Sequence, residues 1–517
     1  MVLEQNLSLV NKVNRLLRWG HWFTFFNIIL ALAITASFWL AEPLPQTGLG
    51  WGYLLLNWVG HTAFLCFLFF ILTIFPISLL FPSQKHVRGL GAILATLALV
   101  LLIFDAYVYR SLGYHIGNTS WLQTIELMKL QVVTNLRNFI LIVVVTSAVL
   151  LALQLTISNY CWKKMARLQA ITAGRPIWMV FVICFVLSHI VHIWADAQLK
   201  LDVVRQDNVL PLTYPATAKS FLARYQLLDR QQRQSSQQEP LDYLDRLKPV
   251  QTNIHCHAEQ TSQPLTILVT LPLSTTEQQW LAEQGLRQLA PHFAPTEPAE
   301  ALFHLLYGQF TDSSQQQHWL EQPPLWLQQS QQRIGLQQTQ PLTDIPMPWL
   351  AEFDRPTAPI QIIFEHAIQQ HWQQYADKAP IIVLELTSQH RQFAVAPAAV
   401  WYRWPELRQQ QQFSASLHLD ILPTILDRAG CQASPQLVGD SLLKPRNIPK
   451  LAISQHEIYS FYKDKLVIIR EDHSFGVWSA GTLLPLNESF DMPMLVDALK
   501  RLPPSSATPL YDDEPNR

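Results

Sequence analysis

The sequence predicts a multi-pass α-helical membrane domain of five transmembrane helices followed by a soluble α/β domain, and three observations predict it. The first two hundred of the 517 residues hold five apolar stretches, each near the roughly 20 helical residues that cross a bilayer. Charged residues make up only 15% of the chain and hydrophobic ones 49%, whereas about 25% of an ordinary soluble domain is charged. From about Val209 the composition turns polar and rich in Pro and Gln, and short β-branched bursts alternate with helical periodicity. Three parts follow: residues 1–200, the membrane domain; residues 201–250, a juxtamembrane segment and linker; and residues 251–517, the α/β domain.

The apolar stretches run Trp19–Leu40, Trp51–Phe81, Leu90–Tyr109, Phe139–Thr156 and Ile177–Ala195. Each exceeds the apolar part of a cleavable signal, and no small-residue cleavage site follows the first, so the N-terminus is expected to be retained. Trp19, Trp22, Trp39, Trp51, Trp162, Trp178 and Trp194 sit near the ends of segments, as an interfacial belt would place them. Pro76 is expected to kink the long second helix rather than end it. Basic residues set the orientation: Lys12, Arg15 and Arg18 in the tail, Lys85 and Arg88 in the second loop, Lys163, Lys164, Arg167 and Arg175 in the fourth. The first loop has none, and the third has Arg110, Lys129 and Arg137. The N-terminus is therefore expected inside and everything after Asp196 outside.

Ionisable groups within the spans are costly and so informative. Asp105 is expected to pair with Arg110 or hold Tyr107. His21, His61, His189 and His192 read as neutral groups hydrogen-bonded between helices in preference to a proton relay. Lys163, Lys164 and Arg167 stand where they can meet anionic lipid or a protein partner. After the fifth helix, Pro211 and Pro215 stiffen the chain, and Thr213, Tyr214, Thr217, Lys219 and Arg224 then present hydroxyls and cations beside the membrane surface, where an anionic headgroup lies. A helix from Thr217 through Tyr225 would add free amides to such a site. The alternative is that Lys219 and Arg224 are ordinary membrane-flanking cations.

Gln231–Pro240 (QQRQSSQQEP) reads as a solvated linker. Beyond it, Leu265–Leu271 (LTILVTL) and Ile381–Leu386 (IIVLEL) suit buried parallel strands. Helical periodicity around Trp280–Leu289 and Ile360–Tyr375 suggests a sheet covered on both faces. No internal repeat is evident. The net charge of −1 removes the electrostatic case for a nucleic-acid partner. Five cysteines without a CxxC pair exclude a disulfide framework or a zinc ribbon. Cys256 and Cys431 both fall outside and are candidates to pair, which spacing does not decide. His255-Cys256-His257 has transition-metal donors, yet adjacent ligands make a poor closed site.

Three runs, WGHWFTFFNIILAL (Trp19–Leu32), IWADA (Ile193–Ala197) and PLTYPATAKSFLARYQLL (Pro211–Leu228), resemble in order the corresponding stretches of the YejM/PbgA family of Gram-negative inner-membrane proteins. SLHLDILPTILDRAG (Ser416–Gly430), followed by GDSLL (Gly439–Leu443), resembles the HxDxxPTLL turn of the sulfatase and phosphoethanolamine transferase superfamily. The resemblance implies a bacterial inner-membrane location and a periplasmic α/β domain of sulfatase/alkaline-phosphatase-like fold. It also implies a lipopolysaccharide sensor that restrains proteolysis of the LpxC deacetylase through the LapB adaptor of the FtsH protease, with cardiolipin transport a weaker alternative. Lipid A phosphate binding is then expected at Thr213, Tyr214, Thr217, Lys219, Ser220 and Arg224, with Ser220 standing where the family commonly has a second basic residue. Anionic phospholipid is a further candidate ligand, and no cofactor is implied.

The superfamily's transferases and hydrolases need Asp and His ligands around a metal and a nucleophile that it activates. Here Leu271 stands at the first metal-binding Asp. The nucleophile position falls near Glu297 or Pro298, with Thr296 close but unaligned. LTSQHRQF (Leu386–Phe393) replaces an Asp-His pair, and His390 alone cannot rebuild it. His418 and Asp420 remain weak metal candidates that read better as structural residues of the turn. A non-catalytic domain is expected. The alternative is a metal-dependent phosphoethanolamine transferase, phosphatase or sulfatase-like hydrolase.

Overall fold

The computed structural model describes residues 9–213 and 249–487, apart from breaks at 42–43, 120, 172–173, 199, 207–208, 257–261, 290, 312, 331, 379, 408–414, 435–436, 445–447 and 471–473. It divides into two compact units, Met1–Asp229 and Arg230–Arg517. Five spans in the first unit are long and apolar enough to cross a membrane: Leu9–Trp39, Gly48–Leu80, Gln84–Leu112, Ile140–Lys163 and Pro176–Asp196. Every predicted stretch falls on one of them.

The helices are α1 (Leu9–Trp39), α2 (Gly48–Leu72), α3 (Ile74–Leu80), α4 (Gln84–Leu112), α5 (Trp121–Lys163), α6 (Met165–Gln169) and α7 (Gly174–Ala197). Pro76 has no amide for the Leu72 carbonyl, and the second span is interrupted at Thr73, between α2 and α3. Thr73 limits the cost, since its amide and hydroxyl both donate to Phe69 O, at 3.0 and 2.6 Å. Trp19 departs from the predicted belt. It is fully buried in a core with Phe23, Ile74, Val87, Ala95 and Cys161, and its indole donates to Ser158 O at 3.1 Å. Some polar side chains in the bundle pair with one another: Asn27 and Gln154 exchange amide hydrogen bonds at 3.2 and 2.6 Å, and Trp58 Nε1 donates to Thr35 Oγ1 at 2.9 Å. Where α2 meets α7, a Cβ on Gly60 would lie 2.4 Å from the Phe185 amide nitrogen, so the two backbones touch only because residue 60 has no side chain.

The second unit is built on a six-stranded sheet in the order Arg287–Gln288, Val400–Arg403, Ile381–Glu385, Leu265–Thr270, Ile360–Phe364, Ile334–Gln338. The last four strands are parallel; Val400–Arg403 pairs antiparallel with Ile381–Glu385, and Arg287–Gln288 antiparallel with Val400–Arg403 at the edge. Leu265–Thr270 is buried throughout and feeds two cores. Ile267 and Val269 face Leu302, Phe303 and Ile425, while Leu268 faces Leu281, Trp372 and Trp401. The sheet is thus covered on both faces, as expected of parallel strands.

Two predicted helices are corrected. Ile360–Phe364 (IQIIF) is a strand followed by the short helix Ile368–His371, because an unbroken buried apolar run suits an inner strand better than one helix face. The other helix spans Thr275–Glu283, capped by Ser274 and Glu277, and the chain leaves it through Gly285 at φ 81° into the strand Arg287–Gln288.

A four-stranded antiparallel meander, Lys450–Ser454, Glu457–Tyr462, Lys465–Ile469 and Phe475–Ser479, adds a second sheet. Its first turn carries Gln455 and His456 at positive φ, the backbone of a tight two-residue hairpin. Asn253–Cys256 pairs antiparallel with Cys431–Ser434, and Cys256 and Cys431 form a disulfide across this ladder. The thiolate that a His255-Cys256-His257 metal site would need is therefore spent, and His257 lies outside the described residues.

Gly60→Leu should force α2 and α7 apart. A loss of about 1–3 kcal/mol is expected for such overpacking, seen as a lower melting temperature of the detergent-solubilised chain; an unchanged melting temperature would contradict the close approach.

Candidate functional site

The juxtamembrane site is described only where it leaves the bundle. Tyr214, Thr217, Lys219, Ser220 and Arg224 lie outside the described residues, as does the Gln231–Pro240 linker. Thr213 is described, and its hydroxyl donates to Leu210 O at 2.9 Å. The residues before it are firmly held: Val209 and Leu210 are buried against Phe38 of α1 and Tyr109 of α4. His61 Nε2 of α2 lies 2.9 Å from Pro211 O, and since a carbonyl only accepts, that nitrogen carries the proton. Nearby, Asp202 accepts from the amides of Gln46 and Thr47 at 3.0 and 2.9 Å and from the Thr47 hydroxyl, tying the chain after α7 to the start of α2.

Asp105 does not pair with Arg110 or Tyr107 as expected. After α4 the chain turns back through Gly113, at φ 86°, and brings His115 Nδ1 to 2.7 Å and the Ile116 amide to 2.8 Å from the carboxylate. The His115 ring stacks on Tyr109, with centroids 4.4 Å apart. Of the four helix histidines, His61 reaches across to the juxtamembrane chain, whereas His189 bonds Phe185 O of its own helix at 2.8 Å. His21 packs against the Trp178 ring, and His192 is buried beside Tyr53.

In the second unit the HxDxxPT turn is a clasp. Asp420, fully buried, accepts from the Leu417 amide at 2.9 Å and the Asp440 amide at 2.8 Å, and pairs with Lys450 Nζ at 2.6 Å. Thr424 donates to Asp420 O at 2.6 Å and accepts from the Leu442 amide at 2.8 Å. The GDSLL run is thereby laid on the turn so closely that a Cβ on Gly439 would sit 2.0 Å from Leu419 O. His418 joins a buried polar seam that sequence reasoning missed. Its Nδ1 meets His292 Nε2 at 2.9 Å, its Nε2 meets Leu386 O at 2.8 Å, and His292 Nδ1 meets Ser416 Oγ at 2.9 Å. His304 lies 4.0 Å from Glu300, which accepts from Ser454 Oγ at 2.6 Å. A histidine in an apolar run, such as His292 in PHFAP, carries no sequence signal separating this use from packing.

Burial sets the protonation of the seam. It holds His418 down to about 4 and His304 to about 3, the latter also repelled by His418. His292 is well below the usual imidazole range, first from burial and then from His418 and Lys450. Burial pushes the Glu300 carboxyl up to about 7, partly opposed by the Ser454 hydroxyl.

A superfamily-type metal does not fit these donors. Both Asp420 oxygens are taken by amides and an ammonium, both His418 nitrogens are occupied, and no group of three or more His, Cys, Asp or Glu among the described residues is arranged to hold an ion. Leu271 is half-buried just past its strand, and Thr296 donates its hydroxyl to Ala394 O at 3.2 Å. Glu297 is exposed as the N-cap of the helix Pro298–Tyr307. His390 stacks on Phe393, and its ring nitrogen accepts from the Gln392 amide.

The seam makes stability depend on pH with a definite sign. Folding raises the Glu300 pKa, so its contribution is greatest below about pH 4.5 and falls as pH rises to about 7. Glu300→Gln should therefore match wild type in acid and gain up to about 3 kcal/mol over it by neutral pH. Denaturant titrations of the full chain, followed by hydrogen exchange in 298–307, would read this; a pH-independent difference would refute it. The neutral histidines act oppositely, stabilising fully above about pH 6.5 and losing that contribution as pH falls.

Residues 6–248 match a family model described as a domain of unknown function (DUF3413). The inner membrane protein YejM of Salmonella typhimurium is 33% identical over 224 residues, 43% of this chain and 38% of that protein, and the YejM of Salmonella typhi matches equally. An uncharacterized protein of Haemophilus influenzae is 30% identical over 219 residues, 42% of this chain and 37% of that one. The matched stretch thus spans under two-fifths of the length of these relatives. A solved protein of the alkaline phosphatase superfamily from Vibrio parahaemolyticus aligns over 53% of this chain and 94% of its own, at 11% identity and a TM-score of 0.35. Over its membrane half, then, the chain is similar to the inner membrane protein YejM and to the DUF3413 family model.

Proposed function

We propose that the protein is a lipid-sensing regulator whose juxtamembrane residues Thr213, Tyr214, Thr217, Lys219, Ser220 and Arg224 bind the phosphates of lipopolysaccharide in the outer leaflet of the inner membrane. The observation that carries this reading is the anchorage of the segment's root. The His61–Pro211 bond and the burial of Val209 and Leu210 hold residues 209–211 on α1, α2 and α4. In this reading, occupancy of the cations acts on a chain whose root is held by the bundle. The basic residues of the tail and of the second and fourth loops favour an inside N-terminus. The Cys256–Cys431 disulfide favours an oxidising periplasm for the second unit. The readout proposed is control of LpxC proteolysis through the LapB adaptor and FtsH, as the family resemblance implies. In this reading the second unit is a non-catalytic scaffold, in keeping with donors committed to the clasp and the seam. Neither a transferase or hydrolase reading nor cardiolipin transport has a specific observation in its favour among the described residues.

Lys219→Ala with Arg224→Ala removes two surface cations, each contributing about 1 kcal/mol toward an anionic headgroup. Purified protein is expected to bind lipopolysaccharide about thirty-fold more weakly, with an altered deacetylase level in cells carrying the variant. Unchanged binding and unchanged deacetylase would reject this site.

A further inference from the structure

At the end of the bundle where α1 begins and α5 stops, a cavity of about 440 Å³ opens, lined by Asn11, Asn14, Arg15, Arg18, Trp162 and Lys163 among others. Its size is that of a small-molecule site. Three of its lining residues are cations and none is a carboxylate, so the described walls leave the positive charge unbalanced. Packing fixes part of that charge in place. Arg15 lies over one aromatic system, the Trp162 indole, at 4.4 Å, and Arg88 lies over the same indole at 4.7 Å while bonding Asn159 Oδ1. A guanidinium held in this way loses little freedom on meeting a ligand. Asn11 and Asn14 add amide groups to the wall. The position is equally informative, because α1 and α5 both become apolar enough to span a bilayer from this end. A basic pocket between transmembrane helices at this depth faces lipid phosphates, and planar guanidinium groups match phosphate oxygens in pairs.

We propose that this cavity is a phosphate site that takes the headgroup of an anionic phospholipid from the leaflet in which α1 begins and α5 ends. It lies at the opposite end of α1 from the buried root of the juxtamembrane segment, goes beyond the sensor reading and does not rest on it.

The test uses the full chain in detergent, titrated by calorimetry with short-chain phosphatidylglycerol, short-chain phosphatidylcholine and inorganic phosphate. Phosphatidylglycerol should bind with the choline lipid undetectable, and Arg15→Gln with Arg18→Gln should weaken it about thirty-fold. Lys163→Gln, a change at an exposed side chain, should weaken it several-fold even if the double variant folds poorly. Lys85→Gln, at a cation in the first turn of α4 outside the cavity lining, should leave it unchanged, and lipopolysaccharide binding should be the same in all variants. Inorganic phosphate binding as tightly as the lipid would mean a soluble phosphate ligand and overturn the lipid assignment. Equal losses with Lys85→Gln and Lys163→Gln would mean diffuse surface attraction, and the cavity would not be a site. No binding of phosphatidylglycerol would overturn the proposal outright.

Discussion

A polar group inside hydrocarbon has no water to bond, and this constraint governs how the membrane unit is put together. Asn27 and Gln154 satisfy each other, Thr35 serves both its own helix and the Trp58 indole, and the Trp19 indole finds Ser158 O. His61 completes its requirement with Pro211 O, and in doing so holds the root of the juxtamembrane segment. Asp105, the costliest group to leave unpaired near a span end, is met by a side chain and an amide delivered by the returning loop. A bond made to satisfy one buried group thus holds Pro211, just before the residues on which the lipid proposal depends.

The same constraint explains what the sequence could reveal. Spans are dictated by bilayer thickness, and their apolar runs are long enough to read directly, so the five helices were legible to within a few residues at most ends. The break at Thr73 was legible through Pro76, three positions on, because the lost hydrogen bond lies at Leu72. The partner of Asp105 was not legible, since His115 reaches it only through a left-handed turn at Gly113. In the second unit LTILVTL announced its strand. IQIIF did not, because five apolar or amide residues fit either a helix face or an inner strand. The clasp was half legible: HxDxxPT and GDSLL stood out as runs, while the Asp420 bonds to the Asp440 amide and Lys450 that join them depend on tertiary contact.

The second unit satisfies its own interior differently. Asp420 and Lys450 stay together as a buried ion pair reinforced by two amides, an arrangement costly to break from either side. The seam beside it avoids charge, with three histidines held neutral and a glutamic acid whose pKa rises to about 7. Metal ligands in a hydrolytic centre must present free lone pairs to one point. Here the nitrogens and carboxylates of the clasp and seam meet one another, backbone groups, a serine hydroxyl or a lysine.

Along α1, Trp19, Phe23, Asn27, Ala31 and Thr35 are buried at four-residue spacing, with Phe38 closing the row. Such a row is a packing ridge, and from Arg15 to Phe38 it covers about 35 Å at the helical rise. One end is the basic cavity, through Arg15 and Trp162; the other is the buried root of the juxtamembrane segment, through Phe38 and Leu210. Between them the ridge touches α5 at Ser158 and Gln154 and α2 at Trp58 and Thr62. A rigid element that contacts both ends gives the bundle physical continuity from one to the other. Along the ridge, the Asn27–Gln154 and Thr35–Thr62 contacts lie between the Arg15 end and Phe38. Those two polar contacts, specific in geometry, fix the register of α1 against α5 and α2 at these points.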